Sequence, residues 1–479
     1  MRKYSRQERT EKPINIPSEL MHFVKKDTYS LVIKGAAGTG KTTLSLTILK
    51  ALDIKSNFFY ICTRVSPRQL SISYPWISKY MENQKERTSG PSMMETDVPI
   101  NFEDARLDEP ESLFERITNE LMDVKAPLII IDSWDAVASF MDREARLNNE
   151  RVLQTWRERA GAKLIFVNED PADTSLDFVV DGAVKLDQVE YENARIREIS
   201  LLKLRGIRIT KPSYLFTLDK GSFRSFETHN PKNLMITPLQ FTKNEKNPRF
   251  TLLHHGLIKS GYVELDLNLG GGFPRRGMVV LEVDSNISME VVMAFLFRII
   301  YTFLVFGNVV FFEPPETIGS MSANKFLRSY LSIANTWSGK FIWVGPSERG
   351  LAQASFSGAD KNHKENLLRY LKENISKEQR CNPNRLILSI MSLDRLQRLD
   401  PHDKTEYLRF ARENSDLSIM VARKNESFAW FSEISDISLK IIVINGTLIL
   451  STLYPVSPIL AIEFERLFGL PVAHLLPLV

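Results

Sequence analysis

Residues 31–52 read LVIKGAAGTGKTTLSLTILKAL, and the rest of the chain is organised around them. The stretch begins with three apolar residues, 31–33, that are typical of a buried strand. It turns through GAAGTGKT at 35–42 and continues with apolar residues at helical spacing, among them Leu44 and Ile48. The turn has the spacing G-x-x-x-x-G-K-[ST] and stands between a strand and a helix, as this motif requires. The sequence therefore predicts a phosphate-binding loop.

The residue types in this loop suit a bound nucleotide. Glycine has no Cβ, so backbone N–H groups close around phosphate oxygens, and the positive end of the following helix points at the same anion. Lys41 is expected to reach the β- and γ-phosphates, and the Thr42 hydroxyl to bind Mg²⁺. The predicted nucleotide-binding residues are Gly35, Ala36, Ala37, Gly38, Thr39, Gly40, Lys41, Thr42 and Thr43. The alternative, a glycine-rich turn that binds nothing, is disfavoured by the spacing and the Lys-Thr pair.

The composition bounds the class of protein. With 479 residues the chain is too long for one core, and two or three domains are expected. Apolar residues make up 43% and charged residues 25%, as in ordinary soluble globular proteins. The net charge, 62 − 58 = +4, is weak evidence for a polyanionic partner such as nucleic acid. Cys62 and Cys381 form no metal or redox spacing and indicate a reducing interior.

Two segments bear on localisation. The N-terminal residues MRKYSRQERTEK are polar and basic without an apolar core, so they do not form a secretory signal. Residues 291–312 are strongly apolar, but Arg298 lies in their middle and Gly307-Asn308 interrupts the run. We expect a buried helix to about residue 305, a turn and a core strand there, rather than a membrane span. A cytoplasmic protein without a membrane segment is expected.

Strands and helices alternate along the first half of the chain. Apolar strands are predicted at 57–62, 126–132 and 163–167, helices at 111–124 and 144–160, and a long surface loop at 83–110. This alternation predicts a parallel, doubly wound sheet flanked by helices. From Asp181 onward the pattern changes, and residues 195–203 and 213–218 are expected to be antiparallel edge strands.

The second half repeats this plan without its chemistry. Core strands are predicted at 278–282, 309–312, 341–344 and 386–391, which indicates an internal duplication. At the position of the phosphate loop, residues 283–289 read VDSNISM, with no glycine, no Lys-Thr pair and an acidic residue that repels phosphate. The predicted organisation is a flexible basic tail at 1–16, a nucleotide-binding domain at 17–226, a linker at 227–255 and a degenerate domain at 256–479.

Several charged residues are candidates for the chemistry. Asp132 ends a buried strand, where a carboxylate anchors Mg²⁺, although it could instead cap the next helix. Asp135 and the Glu169-Asp170 pair are candidates for positioning the attacking water, with helix capping or a surface position as the alternative. Lys203 and Arg205 have the period-two spacing that places both on one face of a strand. They are candidates for contacting a neighbouring subunit's γ-phosphate, or for protecting a sheet edge.

Four segments together resemble the RecA-type ATPases of the KaiC group: 35–43 (GAAGTGKTT), 130–133 (IIDS), 181–182 (DG) and 203–206 (KLRG). Several proteins of that group have two tandem RecA-like domains, and LGGGFPR at 269–275 is similar to the start of their repeat. Within the group, TRVSP at 63–67 and PSEL at 17–20 are similar to the archaeal gas-vesicle regulator protein D family. The resemblance implies an α/β fold of two tandem RecA-like P-loop domains with mostly parallel sheets, the second degenerate.

The resemblance also implies ATP and Mg²⁺ at the first loop, in a homo-oligomer whose ATP sites are shared through Lys203 and Arg205. KaiC-type proteins carry a pair of glutamates after the second strand, one of which acts on the attacking water. The matching residues here are Arg64 and Val65, so ATP hydrolysis to ADP and phosphate is expected to be slow. In the second domain, Glu313 and Glu316 stand where carboxylates are expected, but without a phosphate loop.

Two functions from different classes follow. The first is an ATP-binding regulatory protein with slow or partner-dependent hydrolysis that signals to a protein partner, such as a transcription regulator. The second is a DNA-dependent recombinase-like ATPase acting in repair or recombination, which the +4 charge disfavours. A kinase acting on itself is a third, weaker interpretation, because the second domain has no nucleotide grip.

Overall fold

The structure is a computed structural model that describes residues 15–54, 57–78, 102–121, 124–172, 174–191, 194–230, 252–313, 339–343, 373, 375–381, 383–393, 401–423, 435–467 and 470–479. The described residues form two compact units. The first extends to Glu227 and includes Leu478–Val479, and the second spans Thr228–Pro477. The predicted tail up to residue 14, the loop at 83–101, the linker at 231–251, and Val344 and Glu316 lie outside the described residues.

The first unit is a nine-stranded sheet with helices in the connections. Its strands are β1 (Tyr29–Lys34), β2 (Phe58–Cys62), β3 (Phe102–Asp104), β4 (Leu128–Asp132), β5 (Lys163–Asn168), β6 (Gly182–Tyr191), β7 (Ala194–Leu204), β8 (Ser213–Thr217) and β9 (Arg224–Ser225). The described helices are α1 (Ser18–Val24), α2 (Lys41–Ala51), α3 (Pro67–Ser73), α4 (Pro110–Leu121), α5 (Trp134–Ala138), α6 (Arg143–Ala160) and α7 (Ser175–Val179).

The strand order of this sheet is β3-β2-β4-β5-β1-β6-β7-β8-β9. In this order, the first six strands, β3, β2, β4, β5, β1 and β6, run parallel to one another. The last three, β7, β8 and β9, pair antiparallel. The predicted parallel sheet is thereby confirmed. The prediction that residues 195–203 form an edge strand was wrong, because β8 covers the far side of β7. The end of the predicted loop at 83–110 was also wrong, because β3 pairs with β2 there.

β1 lies in the interior of the sheet, and all six of its residues are buried. Its side chains alternate between the two faces. Leu31 and Ile33 pack in the same apolar cluster as Leu44 of α2, whereas Val32 packs with Leu153 of α6. Because apolar clusters cover both faces, the central strands are continuously apolar rather than alternating.

The second unit repeats the architecture. Its strands are β10 (Leu253–His254), β11 (Leu257–Ile258), β12 (Phe273–Pro274), β13 (Gly277–Val283), β14 (Val309–Phe312), β15 (Lys340–Trp343), β16 (Ile387–Ser392), β17 (Leu417–Arg423), β18 (Ile437–Ile444), β19 (Thr447–Tyr454), β20 (Leu460–Leu467) and β21 (Leu470–Pro477). The described helices are α8 (Val263–Asn268), α9 (Met289–Val305) and α10 (Pro401–Asn414). The large sheet has the order β15-β14-β16-β17-β13-β18-β19-β20-β21, which matches the first unit strand for strand. The predicted duplication is confirmed.

An aspartate anchors the same corner of both sheets. In the first unit, Asp181 Oδ2 accepts a hydrogen bond from the backbone N–H of Ser30 (3.1 Å) and pairs with Arg157 near the end of α6. In the second unit, Asp436 Oδ2 accepts from the backbone N–H of Met278 (2.8 Å), and Asp436 Oδ1 lies 3.1 Å from Arg412 near the end of α10. Asp181, the aspartate of the Asp-Gly pair at 181–182, therefore links β1 to α6, and the same link is present in the second unit, which lacks a phosphate loop.

The apolar run at 291–312 forms α9, a turn and β14, as predicted. Thirteen of the helix residues are buried, so its apolar surface belongs to the core of the second unit. None of the helices in the described ranges has the length and apolar character needed to cross a bilayer.

Glu19 ties α1 to the antiparallel end of the first sheet. Its buried carboxylate accepts hydrogen bonds from Thr210 Oγ1 (2.6 Å), the backbone N–H of Lys211 (3.2 Å) and the Tyr214 hydroxyl. Burial by itself raises the pKa, but these bonds to the charged form outweigh it and hold the pKa of Glu19 at about 2. A carboxyl group whose pKa is lower in the folded state stabilises the fold above its unfolded pKa and loses that effect as pH falls through the folded value.

We predict that Glu19→Gln lowers the free energy of unfolding at neutral pH by about 2 kcal/mol, because a charged hydrogen-bond acceptor is lost. The difference from wild type should shrink as the pH falls from about 5 to about 2, where the wild-type carboxylate becomes protonated. Urea denaturation at stepped pH measures it, with the exposed Glu115→Gln on α4 as control. A difference that stays constant across that range would contradict the assignment.

Candidate functional site

The parallel strands of the first unit bring the candidate residues to one edge of the sheet. The phosphate loop follows β1, Arg64 lies two residues after β2, and Glu169 follows β5 directly. Asp132 is the last residue of β4. In open α/β sheets, ligands bind at the carboxyl ends of the strands. The loop therefore opens where a nucleotide is expected.

The loop backbone requires its glycines. Gly35 has a φ of +154°, and a Cβ there would lie 2.3 Å from the carbonyl oxygen of Leu186. Gly38 has a φ of +77°, and a Cβ there would meet nothing within 4 Å, so this part of the loop is open. The carbonyl oxygen of Gly38 accepts hydrogen bonds from Gln188 Nε2 (3.0 Å) and Arg197 Nη1 (2.9 Å), two contacts that the sequence did not predict. These side chains hold the tip of the loop against the β6–β7 hairpin.

Lys41 lies inside the loop it follows. Its side chain is buried, and Nζ donates to the carbonyl oxygens of Gly35 (2.7 Å) and Ala36 (2.9 Å). Burial lowers its pKa, and the carboxylates of Glu169, Asp132 and Asp135 oppose that shift. A desolvated ammonium group surrounded by loop backbone fits a phosphate group.

Thr42 and Asp132 meet at the predicted magnesium site. Thr42 Oγ1 donates to Asp132 Oδ2 at 2.7 Å, and the Tyr60 hydroxyl donates to the same oxygen at 2.6 Å. Burial raises the pKa of Asp132, whereas the bonds from Tyr60 and Thr42 and the charge of Lys41 lower it. In the described part of the chain, no cluster of three or more His, Cys, Asp or Glu side chains could hold a metal ion. A hydroxyl and one carboxylate nevertheless fit Mg²⁺, which takes its other ligands from phosphate and water.

Asp135 connects two elements rather than facing open space. Its carboxylate accepts a hydrogen bond from the backbone N–H of Glu169. With the Asn168 side-chain amide turned so that its NH₂ group faces Asp135, that group donates a second one at 2.6 Å. These bonds tie the first turn of α5 to the end of β5. Asp135 therefore holds the Glu169 backbone in place in this conformation, and its role in positioning water stays a prediction.

Arg64 and Glu169 form an ion pair at the site. Arg64 Nη1 lies 2.9 Å from Glu169 Oε2, and Arg64 Nε lies 3.2 Å from Ser133 Oγ. The side chains are 51% and 31% exposed, and such pairs contribute about 0–1 kcal/mol to stability. The sequence analysis singled out Arg64 because it stands where KaiC-type proteins carry a glutamate, and it did not predict the ion pair with Glu169. A cation after one parallel strand and an acid after a nearby one was the available signal.

Lys203 and Arg205 lie away from the phosphate loop of their own chain. Lys203 Nζ donates to the carbonyl oxygens of Asp177 (3.1 Å) and Val180 (2.6 Å), and Arg205 Nη1 lies 3.2 Å from Asp181 Oδ1. Asp181 is bonded to the start of β1, whereas the phosphate loop follows its end. Because a strand rises about 3.3 Å per residue, the two positions are roughly 15 Å apart along the sheet. A γ-phosphate contact by these cations would have to be made to another subunit.

The corresponding edge of the second unit is built differently. The strand registers place Ser392 at the position of Asp132 and Arg423 at the position of Glu169. Arg423 Nη1 donates to the carbonyl oxygens of Ser285 (2.8 Å) and Ile287 (2.9 Å) in the loop after β13. This loop is therefore held by a cation from a neighbouring strand, at the position that Glu169 occupies in the first unit. The contacts agree with a degenerate second domain.

Comparison with known proteins identifies the relatives of the chain. Residues 20–205 match the family described as GvpD gas vesicle protein, P-loop domain. The chain is 26% identical to Protein GvpD2 of Halobacterium salinarum over 318 residues, which cover 63% of this chain and 62% of that protein. It is 28% identical to Protein GvpD1 of the same organism over 352 residues, covering 69% and 63%. The chain therefore spans less than two thirds of the length of these relatives.

A more distant relative is the circadian clock oscillator protein KaiC of Prochlorococcus marinus. The identity is 26% over 272 residues, which cover 53% of this chain and 49% of that protein. Together with the two matching sheets, these relatives confirm the predicted resemblance to a RecA-type ATPase of the KaiC group close to gas-vesicle protein D.

We predict that Lys41→Ala lowers ATP affinity by at least about 100-fold, because a charged hydrogen-bond donor to phosphate is lost inside the loop. Asp132→Asn should bind ATP with an affinity that no longer rises with Mg²⁺, because its carboxylate charge is removed. Titration calorimetry with and without Mg²⁺ measures both effects. Lys25→Ala, an exposed lysine just after α1, is the matched control. Unchanged ATP affinity in Lys41→Ala would remove the basis for a nucleotide site here.

Proposed function

We propose that the first unit binds Mg-ATP and acts as a regulatory switch, with slow or partner-dependent hydrolysis to ADP and phosphate. A switch requires only that a partner bind the ATP and ADP states with different affinity. Lys41 in the phosphate loop and the Thr42–Asp132 contact support the binding of Mg-ATP. Arg64, at a position where KaiC-type proteins carry a glutamate, supports slow hydrolysis.

The observation that carries the proposal is the pairing of the carboxylates around Lys41. Asp132 accepts hydrogen bonds from Thr42 and Tyr60, Asp135 accepts from the Glu169 backbone, and the Glu169 side chain pairs with Arg64. A general base must lie within hydrogen-bond reach of the attacking water in a form that accepts its proton. In this conformation each carboxylate is already engaged. Fast turnover would require rearrangement, which a bound partner could drive.

The proposed partner is a protein, such as a transcription regulator. The second unit lacks the phosphate-loop residues of the first, so it is available for another role. We also propose a cytoplasmic homo-oligomer in which Lys203 and Arg205 reach the ATP of a neighbouring subunit. Their distance from their own phosphate loop supports a contact in trans.

We predict that the purified protein hydrolyses ATP on the order of 10⁻³ s⁻¹, comparable to unassisted P-loop switches, and that single-stranded DNA does not accelerate it. A phosphate-release assay with and without DNA measures this, with Lys41→Ala as the background. Native mass measurement with and without ATP reports assembly in the same samples. Strong DNA stimulation together with salt-dependent, ATP-dependent DNA binding would instead favour the recombinase-like function.

For the shared site, we predict that Lys203→Ala/Arg205→Ala subunits and Lys41→Ala subunits are each inactive alone but regain part of the activity when mixed. Mixed assemblies contain interfaces with an intact phosphate loop on one side and intact cations on the other. The turnover assay on mixtures at several ratios measures the recovery. If activity stays at background at every ratio while the subunits still assemble, the shared site is excluded.

A further inference from the structure

We propose that Arg64 discriminates ATP from ADP, by leaving Glu169 and binding the terminal phosphate when ATP occupies the first unit. The Arg64–Glu169 ion pair then marks the state without a γ-phosphate, and its release marks the ATP state. This inference rests on the proposed ATP binding and assigns the residue that distinguishes the two nucleotides.

The position of Arg64 supports this role. The backbone N–H of Thr63, the residue before it, donates to the Asp132 carbonyl oxygen (2.9 Å), which fixes the start of the loop at the magnesium site. Arg64 Nε is held 3.2 Å from the hydroxyl of Ser133, next to Asp132. Asp132 in turn binds Thr42 of the phosphate loop. The guanidinium group is therefore attached to the edge of the phosphate site by a short series of direct contacts.

The charges of the ion pair act on the phosphate-binding lysine. The charges of Glu169 and Arg64 both act on the pKa of Lys41, in opposite directions, and Glu169 is the strongest of the charged groups that do so. Lys41 is the residue that contacts the β- and γ-phosphates in loops of this type. The two charges thus act on the same lysine that a bound γ-phosphate would contact.

The exposure of the ion pair allows Arg64 to leave Glu169 for a phosphate group. Arg64 is 51% exposed and Glu169 31% exposed, so water competes for both groups and the pair is weakly held. A guanidinium group forms bidentate, charge-assisted hydrogen bonds with phosphate, and a terminal phosphate carries more negative charge than one carboxylate. Arg64 therefore gains by transfer from Glu169 to the γ-phosphate of ATP, whereas ADP has no γ-phosphate to accept it.

This exchange would also report the nucleotide state at the surface. When Arg64 leaves, the Glu169 carboxylate is released at the end of β5, beside the backbone that Asp135 holds. The released carboxylate changes the local charge at this edge of the sheet. A partner that binds this edge would then distinguish the ATP state from the ADP state.

The test compares the affinities for Mg-ADP and for a slowly hydrolysed ATP analogue, ATPγS, by titration calorimetry. Arg64→Ala should lose about tenfold in ATPγS affinity while ADP affinity stays within about twofold, because only the terminal-phosphate contact is removed. Glu169→Gln should bind ATPγS several-fold more tightly, because Arg64 no longer has to leave a charged partner. Arg64→Lys should recover part of the loss. Arg68→Ala, an exposed arginine on α3, is the control.

The outcomes separate this inference from the proposed function. If Arg64→Ala lowers both affinities equally, or neither, the ion pair is only a structural tie between two loops and the inference fails while ATP binding stands. If the wild-type protein binds neither nucleotide, both fail. Opposite effects of Arg64→Ala and Glu169→Gln on ATPγS alone, with melting temperatures close to wild type, would support the exchange.

Discussion

The burial of β1 on both faces of the first sheet is the constraint on which the site depends. All six residues of this strand are buried, and the strands on either side, β5 and β6, run parallel to it. Parallel strands end at the same edge of a sheet, so the loops after β1, β2, β4 and β5 converge. Thr42 and Asp132, 90 residues apart in sequence, can therefore share a hydrogen bond. The chemistry of the first unit is a consequence of this packing.

The second unit shows that this architecture does not require the chemistry. Its sheet has the same order, and Asp436 forms the same tie to the central strand as Asp181. At the carboxyl edge, however, Arg423 binds loop carbonyl oxygens and stabilises a loop that does not form a phosphate cradle. Fold stability comes from the buried strands and the anchored corner. The loops were consequently able to diverge after duplication.

Within the first unit, the carboxylates near the phosphate loop are paired with other groups, which suits phosphate binding better than fast hydrolysis. The carboxylates around Lys41 have partners from several helices and strands. Arg64 adds a cation at a position where KaiC-type proteins carry a glutamate. A cation there favours retention of a polyanion. In the described conformation it also pairs with the carboxylate of Glu169, which is a candidate for acting on water. Binding and turnover are thus separable properties of the same fold.

Local patterns in the sequence determined the phosphate loop, the buried strands, the carboxylate of Asp132 and the duplication. These features are encoded in residue spacing over short stretches, where glycine conformation and apolar periodicity act directly. Only the tertiary structure decided that β7 pairs with β8 as well as with β6. It also decided the contact partners of four side chains: Arg64, Glu169, Asp135 and Lys203. Each depends on which strand lies beside which, and an ion pair between distant loops leaves no periodic signal in the chain.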